Sequence, residues 1–331
     1  MSVVLTKSRA LNALRAYANY ALSRCGSVHF RSPFAIRHLP LFVSVEPANV
    51  CQLKCPECPV GKGYGLQVTG YKTMPMDVWE RVLAEVRETA WVMQFYFQGE
   101  PLLNKNLPQM IAEAHAAGLY TIVSTNAQAL TKPMAEALVN SGLDRIIVSM
   151  DGLTEASYGA YRIGGSLEKC KEALRHLRKA KEQSPITNHQ SPIIELQCLR
   201  LKTNEHEWAT FKKQYKALGA DRLVFKTAQL YDYTNGHPMM PSDKKYSRYI
   251  KGNDGLYHRR ALGKGCFRVW SGVVVTTNGE VLPCCYDKAH AHAYGNIMRA
   301  PMRELFTNER AMTFRRAAYK EQPQICKECY K

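Results

Sequence analysis

From residue 41 onward the sequence alternates short apolar runs with helix-patterned stretches, and this rhythm limits the fold more than any other feature. The apolar runs cover 41–46, 92–97, 120–124, 145–150, 193–199 and 222–226, each rich in β-branched or aromatic residues. Helical patterns fill 77–90, 107–117, 132–141, 166–182 and 205–218, with Gly118, Gly142 and Gly219 where helices should stop. Strands separated by helices pair in parallel through right-handed crossovers. Six of them predict an α/β fold, an open, partial (β/α)6 TIM-like barrel over residues 41–232.

The flanks follow other rules. Residues 233–265 carry Asn235-Gly236, Pro238, Pro241, Gly252 and Gly255, which reads as a linker or substrate loop. Asn278-Gly279 between two β-prone segments signals a hairpin, and a helix is expected near 301–319. Residues 266–331 therefore read as a small hairpin-plus-helix domain. Residues 1–40 read as a basic helical extension. Within it, 5–24 place Leu5, Leu11, Leu14, Tyr17, Ala18 and Ala21 roughly on one side. That side is expected to brace the barrel. The competing reading lays it on an anionic membrane, beside a lipid-linked sugar. No run of about 18 apolar residues is present, so no transmembrane helix is expected. The basic N-terminus does not read as a secretory signal.

Eleven of the 331 residues are cysteine. The odd count and tight spacings argue against a disulfide scaffold and for metal or redox chemistry in a reducing, cytoplasmic setting. Cys51, Cys55 and Cys58 form Cys-x3-Cys-x2-Cys directly after the first strand. Thiolates are the usual ligands of cubane iron–sulfur clusters. Three on one loop would leave the fourth iron open to a small molecule. A zinc loop is the alternative, although structural zinc normally takes four ligands. Cys266, Cys284, Cys326 and Cys329 make a second group of four, fit for zinc or a [4Fe–4S] cluster, with Cys285 a rival to Cys284. Cys25, Cys170 and Cys198 have no partners in sequence and read as packing residues.

The Cys-x3-Cys-x2-Cys motif after the first strand of such a barrel resembles the signature of radical S-adenosylmethionine (SAM) enzymes. Further motifs follow in the family's order: Gln98-Gly99-Glu100-Pro101, Ser124-Thr125-Asn126, Ser149-Met150-Asp151-Gly152 and Tyr158-x3-Arg162. Two positions depart from the pattern. Gln98 stands where the family has Gly, and Glu57 where it has an aromatic residue or Met. The resemblance implies a [4Fe–4S] cluster on Cys51, Cys55 and Cys58 that binds SAM through its open iron. Gly99 and Glu100 would hold the SAM ammonium, Ser149 and Arg162 its carboxylate and ribose region, and Asn126 would line the site. Cys266-x12-Gly279-x4-Cys284 followed by Gly295-Asn296-Ile297 and Cys326-x2-Cys329 resembles the SPASM/twitch extension. The short ending resembles the twitch form, with one auxiliary [4Fe–4S] cluster on Cys266, Cys284, Cys326 and Cys329. The layout is similar to that of the dehydrogenases that oxidise 2-deoxy-scyllo-inosamine.

The resemblance implies reductive cleavage of SAM to a 5′-deoxyadenosyl radical, driven by a reductant such as flavodoxin or ferredoxin. An auxiliary cluster that could take an electron from the substrate favours oxidation or dehydrogenation. Only 40 residues precede the first strand, which favours a small polar, sugar- or cyclitol-like substrate over a peptide. The net charge of +17 is concentrated at the ends: +6 over residues 1–45, +2 over 46–232 and +9 over 233–331. It allows an anionic substrate, a membrane surface or nucleic acid. A non-catalytic zinc or iron–sulfur nucleic-acid-binding module is the reading of another class.

Overall fold

The computed structural model describes residues 4–24, 37–64, 69–184, 192–260 and 266–329; Cys25 lies outside them. Helix α1 (Lys7–Arg24) precedes a run of strands and helices: β1 (Phe42–Val45), α2 (Met76–Val86), β2 (Val92–Phe95), α3 (Leu107–Ala116), β3 (Tyr120–Thr125) and α4 (Lys132–Asn140). The run continues through β4 (Arg145–Ser149), α5 (Glu155–Gly159), α6 (Leu167–Gln183), β5 (Ile193–Arg200), α7 (Trp208–Gln214) and β6 (Arg222–Thr227). The six strands pair in parallel in sequence order, as expected. Helices cover the sheet, so strand residues such as Val43, Met93, Val123 and Leu196 are fully buried. They share one core with Trp79, Met110, Leu138 and Leu177 from the helices.

Helix boundaries follow local side chains. Thr131 and Ser166 accept the N–H groups of Met134 and Lys169 at the starts of α4 and α6. The expected helix over 205–218 is shorter, because residues 202–207 form a tight 3-10 turn first. There the buried Asn204 donates to the Asp151 and Leu199 carbonyls at 2.9 and 2.8 Å, which fixes the chain before α7 can start. The expected helix over 301–319 is two helices, α9 (Met302–Thr307) and α10 (Glu309–Lys320). Asn308 divides them, with extended backbone and its side chain capping Ala311 N at 2.9 Å.

Residues 233–260 are more ordered than a plain linker. β7 (Tyr249–Lys251) and β8 (Tyr257–Arg259) pair antiparallel, and the segment packs against Leu53, Cys55 and Tyr161. Beyond it come α8 (Arg268–Ser271), β9 (Gly272–Val275), β10 (Glu280–Leu282), β11 (Gly295–Asn296), α9, α10 and α11 (Gln324–Lys327). The expected hairpin forms from β9 and β10. β9 also pairs in parallel with β1, so the sheet runs β11-β10-β9-β1-β2-β3-β4-β5-β6. The outer edge of β1 would otherwise expose unpaired backbone groups.

Helix α1 does brace the barrel, but with the opposite side from the one expected. Arg9, Asn12, Ala16, Asn19 and Ser23 are buried, while Leu11, Leu14, Tyr17 and Leu22 are exposed. The reason is hydrogen-bond demand. The turns that precede the strands present carbonyl groups that need donors. Arg9 donates to the carbonyls of Arg87, Ala117 and Gly118 at 2.6–2.8 Å, and Asn12 to those of Leu39 and Thr89 at 3.0 and 3.2 Å.

His38 ties α1 to α8, the helix that leads into the hairpin. Its Nε2–H donates to Trp270 O at 2.6 Å, and its Nδ1 accepts from Asn19 at 3.1 Å. Burial pushes its pKa down to about 4, the Trp270 carbonyl resisting and Arg315 assisting. The folded state thus binds fewer protons than the unfolded chain between pH 4 and 6.5. The stability contributed by neutral His38 is fully present above pH 6.5 and is lost as pH falls towards 4. A loss of about 2 kcal/mol between pH 7 and 5 is expected from this group. Thermal unfolding at the two pH values, compared with His38→Gln, measures it: the variant should show the shallower acid decline, and equal slopes would refute the assignment.

Candidate functional site

Parallel pairing in register brings successive strand ends to one face. Phe95 pairs with Val123 and Val123 with Ile146, so the residues after β2, β3 and β4 emerge side by side. The carboxyl end of a parallel barrel is where ligands bind. The loop after β1 lays Cys51, Cys55 and Cys58 over this face. Glu100 N donates to Val50 O at 2.8 Å and Lys54 N to Ile163 O at 2.9 Å, which pins the loop at two points. Gly99 has φ +67°, and a Cβ there would stand 2.2 Å from Ala48 O, so glycine alone fits beneath the loop. Gly61, which the motifs did not single out, meets the same limit: its Cβ would lie 2.6 Å from Cys55 O.

The expected strand-end residues gather here. Glu100 is buried, and its carboxylate accepts from Thr125 Oγ1 at 2.5 Å, Leu102 N at 3.1 Å and Asn126 N at 2.8 Å. A carboxylate has about four lone-pair sites, so one is left for a ligand. Burial raises its pKa, and these three donors oppose the rise. Asn126 donates to Cys51 Sγ at 3.4 Å and accepts from Gln52 Nε2 at 3.1 Å. Ser149 is buried at the end of β4. Arg162 places Nη1 4.0 Å from Cys55 Sγ and donates from Nε to Asp151 at 2.6 Å. Burial alone would lower the Arg162 pKa, but Asp151 and Cys55 drive it up. Asp151 also accepts Leu199 N at 2.6 Å, a role that the motif reading left blank. Burial pushes the Cys51 thiol up to about 11 and raises that of Cys55, the latter against the pull of Arg162.

Both departures from the family motifs have structural work. Glu57 accepts Tyr231 N at 2.7 Å and faces His237 Nε2 at 3.6 Å, so it ties the 229–240 segment to the cysteine loop. Gln98 donates to Lys288 O at 3.1 Å. Lys288 in turn donates to Tyr231 Oη at 3.2 Å, and Lys62 stands 5.4 Å from that ring. One tyrosine therefore joins the cysteine loop, the central segment and the C-terminal hairpin at the edge of the site.

Of the second cysteine group, Cys284 at the hairpin end stands near Cys326 and Cys329 at the C-terminal helix. Burial raises the Cys284 pKa, with Cys285, Cys326 and Cys329 adding to the rise. Cys285 accepts from Arg268 Nη1 at 3.7 Å. Cys266 is partly buried beside the same core as Ile325 and Cys326. Cys170 and Cys198 are fully buried, and burial pushes the Cys170 thiol up to about 12, as packing residues require. Among the described residues no three His, Cys, Asp or Glu side chains stand close enough to chelate one ion. A cubane spreads its thiolates more widely than a single zinc with bonds of ~2.3 Å.

Residues 45–188 match the model of the Radical SAM superfamily, and residues 266–330 match SPASM, an iron–sulfur cluster-binding domain. The chain is 29% identical over 208 residues to the PqqA peptide cyclase of Bradyrhizobium diazoefficiens, covering 62% of this chain and about half (51%) of that protein. It is 24% identical over 317 residues to the PqqA peptide cyclase of Xanthomonas oryzae pv. oryzae, covering 88% and 80%. Among solved structures, SuiB of Streptococcus suis bound to S-adenosylmethionine has TM-score 0.65 at 14% identity, covering 96% of this chain and 82% of that one. BtrN in complex with AdoMet and 2-DOIA has TM-score 0.52 at 18% identity, covering 88% and 94%. These structural likenesses establish the fold, a partial TIM-like barrel with a small C-terminal hairpin and helices. The chain carries a radical SAM superfamily domain and a SPASM domain, and its cofactors are SAM, a SAM-binding [4Fe–4S] cluster and auxiliary iron–sulfur ligation.

Proposed function

We propose that this chain is a radical SAM enzyme that modifies a peptide, with the SAM-binding cluster on Cys51, Cys55 and Cys58 and an auxiliary [4Fe–4S] cluster on Cys266, Cys284, Cys326 and Cys329. The observation that carries the peptide reading is the match to a PqqA peptide cyclase over 88% of the chain. Residues 41–232 form the catalytic barrel in this reading, 233–265 the substrate loop and 266–331 the auxiliary-cluster domain, with 1–40 as the extension. The three-cysteine donor set suits a cubane with one open iron. Cys284 is chosen over Cys285 because it shares the surroundings of Cys326 and Cys329.

When bound, the cofactors supply an electron and a 5′-deoxyadenosyl radical that takes a hydrogen atom; flavodoxin or ferredoxin is the proposed reductant. The chain's own residues bind and orient. Glu100 offers its remaining lone pair to the SAM ammonium, beside the backbone of Gly99. Arg162 and Ser149 meet the carboxylate and ribose region. Asn126 orients Cys51 through its amide N–H. The 229–240 segment, held by Glu57, covers the site and limits water. A small polar, anionic substrate is the second reading, favoured by Lys62 and Lys288, whose ammonium groups both lie near Tyr231.

The two substrates separate by isotope. Deuterium from a labelled precursor peptide should appear in 5′-deoxyadenosine by mass spectrometry. Transfer from labelled amino-cyclitols or sugar phosphates and none from peptides would reverse the order.

Anaerobically reconstituted protein should hold about eight irons per chain. Replacing Cys51, Cys55 and Cys58 by Ala should leave about four and abolish SAM cleavage. Replacing Cys326 and Cys329 should remove the other iron and leave uncoupled cleavage. A triple variant that still cleaves SAM, or two variants that both keep their iron, would disprove the ligand assignment.

Glu100→Gln should weaken SAM binding roughly tenfold, since a charge-assisted hydrogen bond becomes a neutral one. Arg162→Lys should do likewise, because a point charge replaces a planar fork. Lysine is chosen since removing the charge would strand buried Asp151. Calorimetric titration of the iron-loaded variants checks both. Unchanged affinity in the two would show that the strand-end residues do not hold SAM.

A further inference from the structure

Helix α1 is seated on the barrel, yet its outward side is both apolar and basic. Leu5, Leu11, Leu14, Tyr17 and Leu22 are between 46% and 68% exposed. Leu11, Leu14, Ala18 and Leu22 recur at helical spacing opposite the buried Arg9, Asn12, Ala16 and Asn19. Lys7 and Arg15 are exposed along the same stripe, Arg37 is exposed beyond it, and residues 1–45 contain no Asp or Glu. A helix of a soluble domain normally turns its leucines to the core. Here the barrel's carbonyl groups take the polar side, so the leucines are left facing out.

We propose that the outward face of α1 docks the enzyme on an anionic lipid surface. The leucines and Tyr17 enter the boundary between headgroups and acyl chains, and Lys7 and Arg15 lie against lipid phosphates. Charge selects this occupant. A second copy of the chain would set one acid-free basic segment against another, a like-charge contact with nothing to offset it. An anionic bilayer satisfies the leucines and the cations together. Contact is peripheral, since among the described residues no helix is long and apolar enough to cross a membrane.

The packing of α1 also sets the orientation. Its polar partners, Leu39, Arg87, Thr89, Ala117 and Gly118, all lie just before β1, β2 or β3, at the amino ends of the strands. The cysteine loop lies at the carboxyl ends. Docking through α1 therefore turns the catalytic face away from the bilayer, so substrate arrives from water and no lipid-linked substrate is needed. This inference rests on the helix packing and stands apart from the choice of substrate.

Co-sedimentation of the iron-loaded full chain with vesicles tests it. Vesicles of phosphatidylglycerol and phosphatidylethanolamine should pellet the protein, and pure phosphatidylcholine vesicles should not. High salt should weaken pelleting, because screening acts on exposed charges. The variant Leu11→Gln, Leu14→Gln, Leu22→Gln should pellet about fivefold less or lower, and so should Lys7→Gln, Arg15→Gln. Circular dichroism and SAM cleavage should match the parent, since these side chains face solvent and the SAM-site residues lie at the other end of the strands. Failure to pellet on anionic vesicles, equal pelleting on neutral ones, or a leucine variant that pellets like the parent would overturn the proposal. So would sedimentation velocity showing a dimer that the leucine variant dissolves, since the face would then join two copies.

Discussion

The pairing of β1 with strands on both sides is the constraint on which the rest of the molecule depends. β2 lies on one flank and β9 on the other, both parallel to it. β1 ends directly at the loop that carries Cys51, Cys55 and Cys58. β9 leads into the hairpin that carries Cys284. One strand thus fixes the distance between two cysteine groups more than 200 residues apart in sequence. A single continuous sheet also makes that distance rigid, because any slip in register would turn every buried side chain of a strand to the wrong face.

Buried polar groups reinforce the same joint. Glu46, the residue after β1, donates its backbone N–H to Val275 O at 2.9 Å, and its carboxylate accepts Thr277 N at 3.2 Å. It is fully buried, and that burial raises its pKa to about 8 against the Thr277 and Gln98 hydrogen bonds. The group is largely neutral at pH 7, which removes the cost of an unpaired charge at the strand junction. Arg315 plays the matching part behind the hairpin. It is buried, stands against the rings of Trp270 and Phe306, and donates to the Val269 and Phe306 carbonyls at 3.0 and 2.7 Å. Both groups show polar atoms used as braces where short strands offer little apolar surface.

The departures from the superfamily's motifs become intelligible in three dimensions. Glu57 and Gln98 look like defects when the motifs are read as strings. In space each reaches a segment distant in sequence, Glu57 to Tyr231 and Gln98 to Lys288. Tyr231 and Lys288 then meet each other. Glu57 and Gln98 fasten segments that belong to this chain, while Gly99, where a Cβ would strike Ala48 O, stays as the family has it.

Much of this was legible in the sequence. Alternating apolar runs marked all six barrel strands, because strand and helix have different side-chain periods that local sequence displays. The strand-end motifs picked out residues that the structure brings to one face, because successive strand ends of a parallel barrel emerge side by side. The helix near 205 and the break at Asn308 were less legible, since each turns on one asparagine bonding to a distant carbonyl. Only the tertiary structure placed β9 against β1 and gave Asp151 its two partners. The side on which α1 lies was likewise beyond sequence patterning. Periodicity shows that Leu11, Leu14 and Leu22 share a face, but not which face the barrel accepts. That was decided by unpaired carbonyls at the strand starts, which bind Arg9 and Asn12 and leave the leucines to the outside.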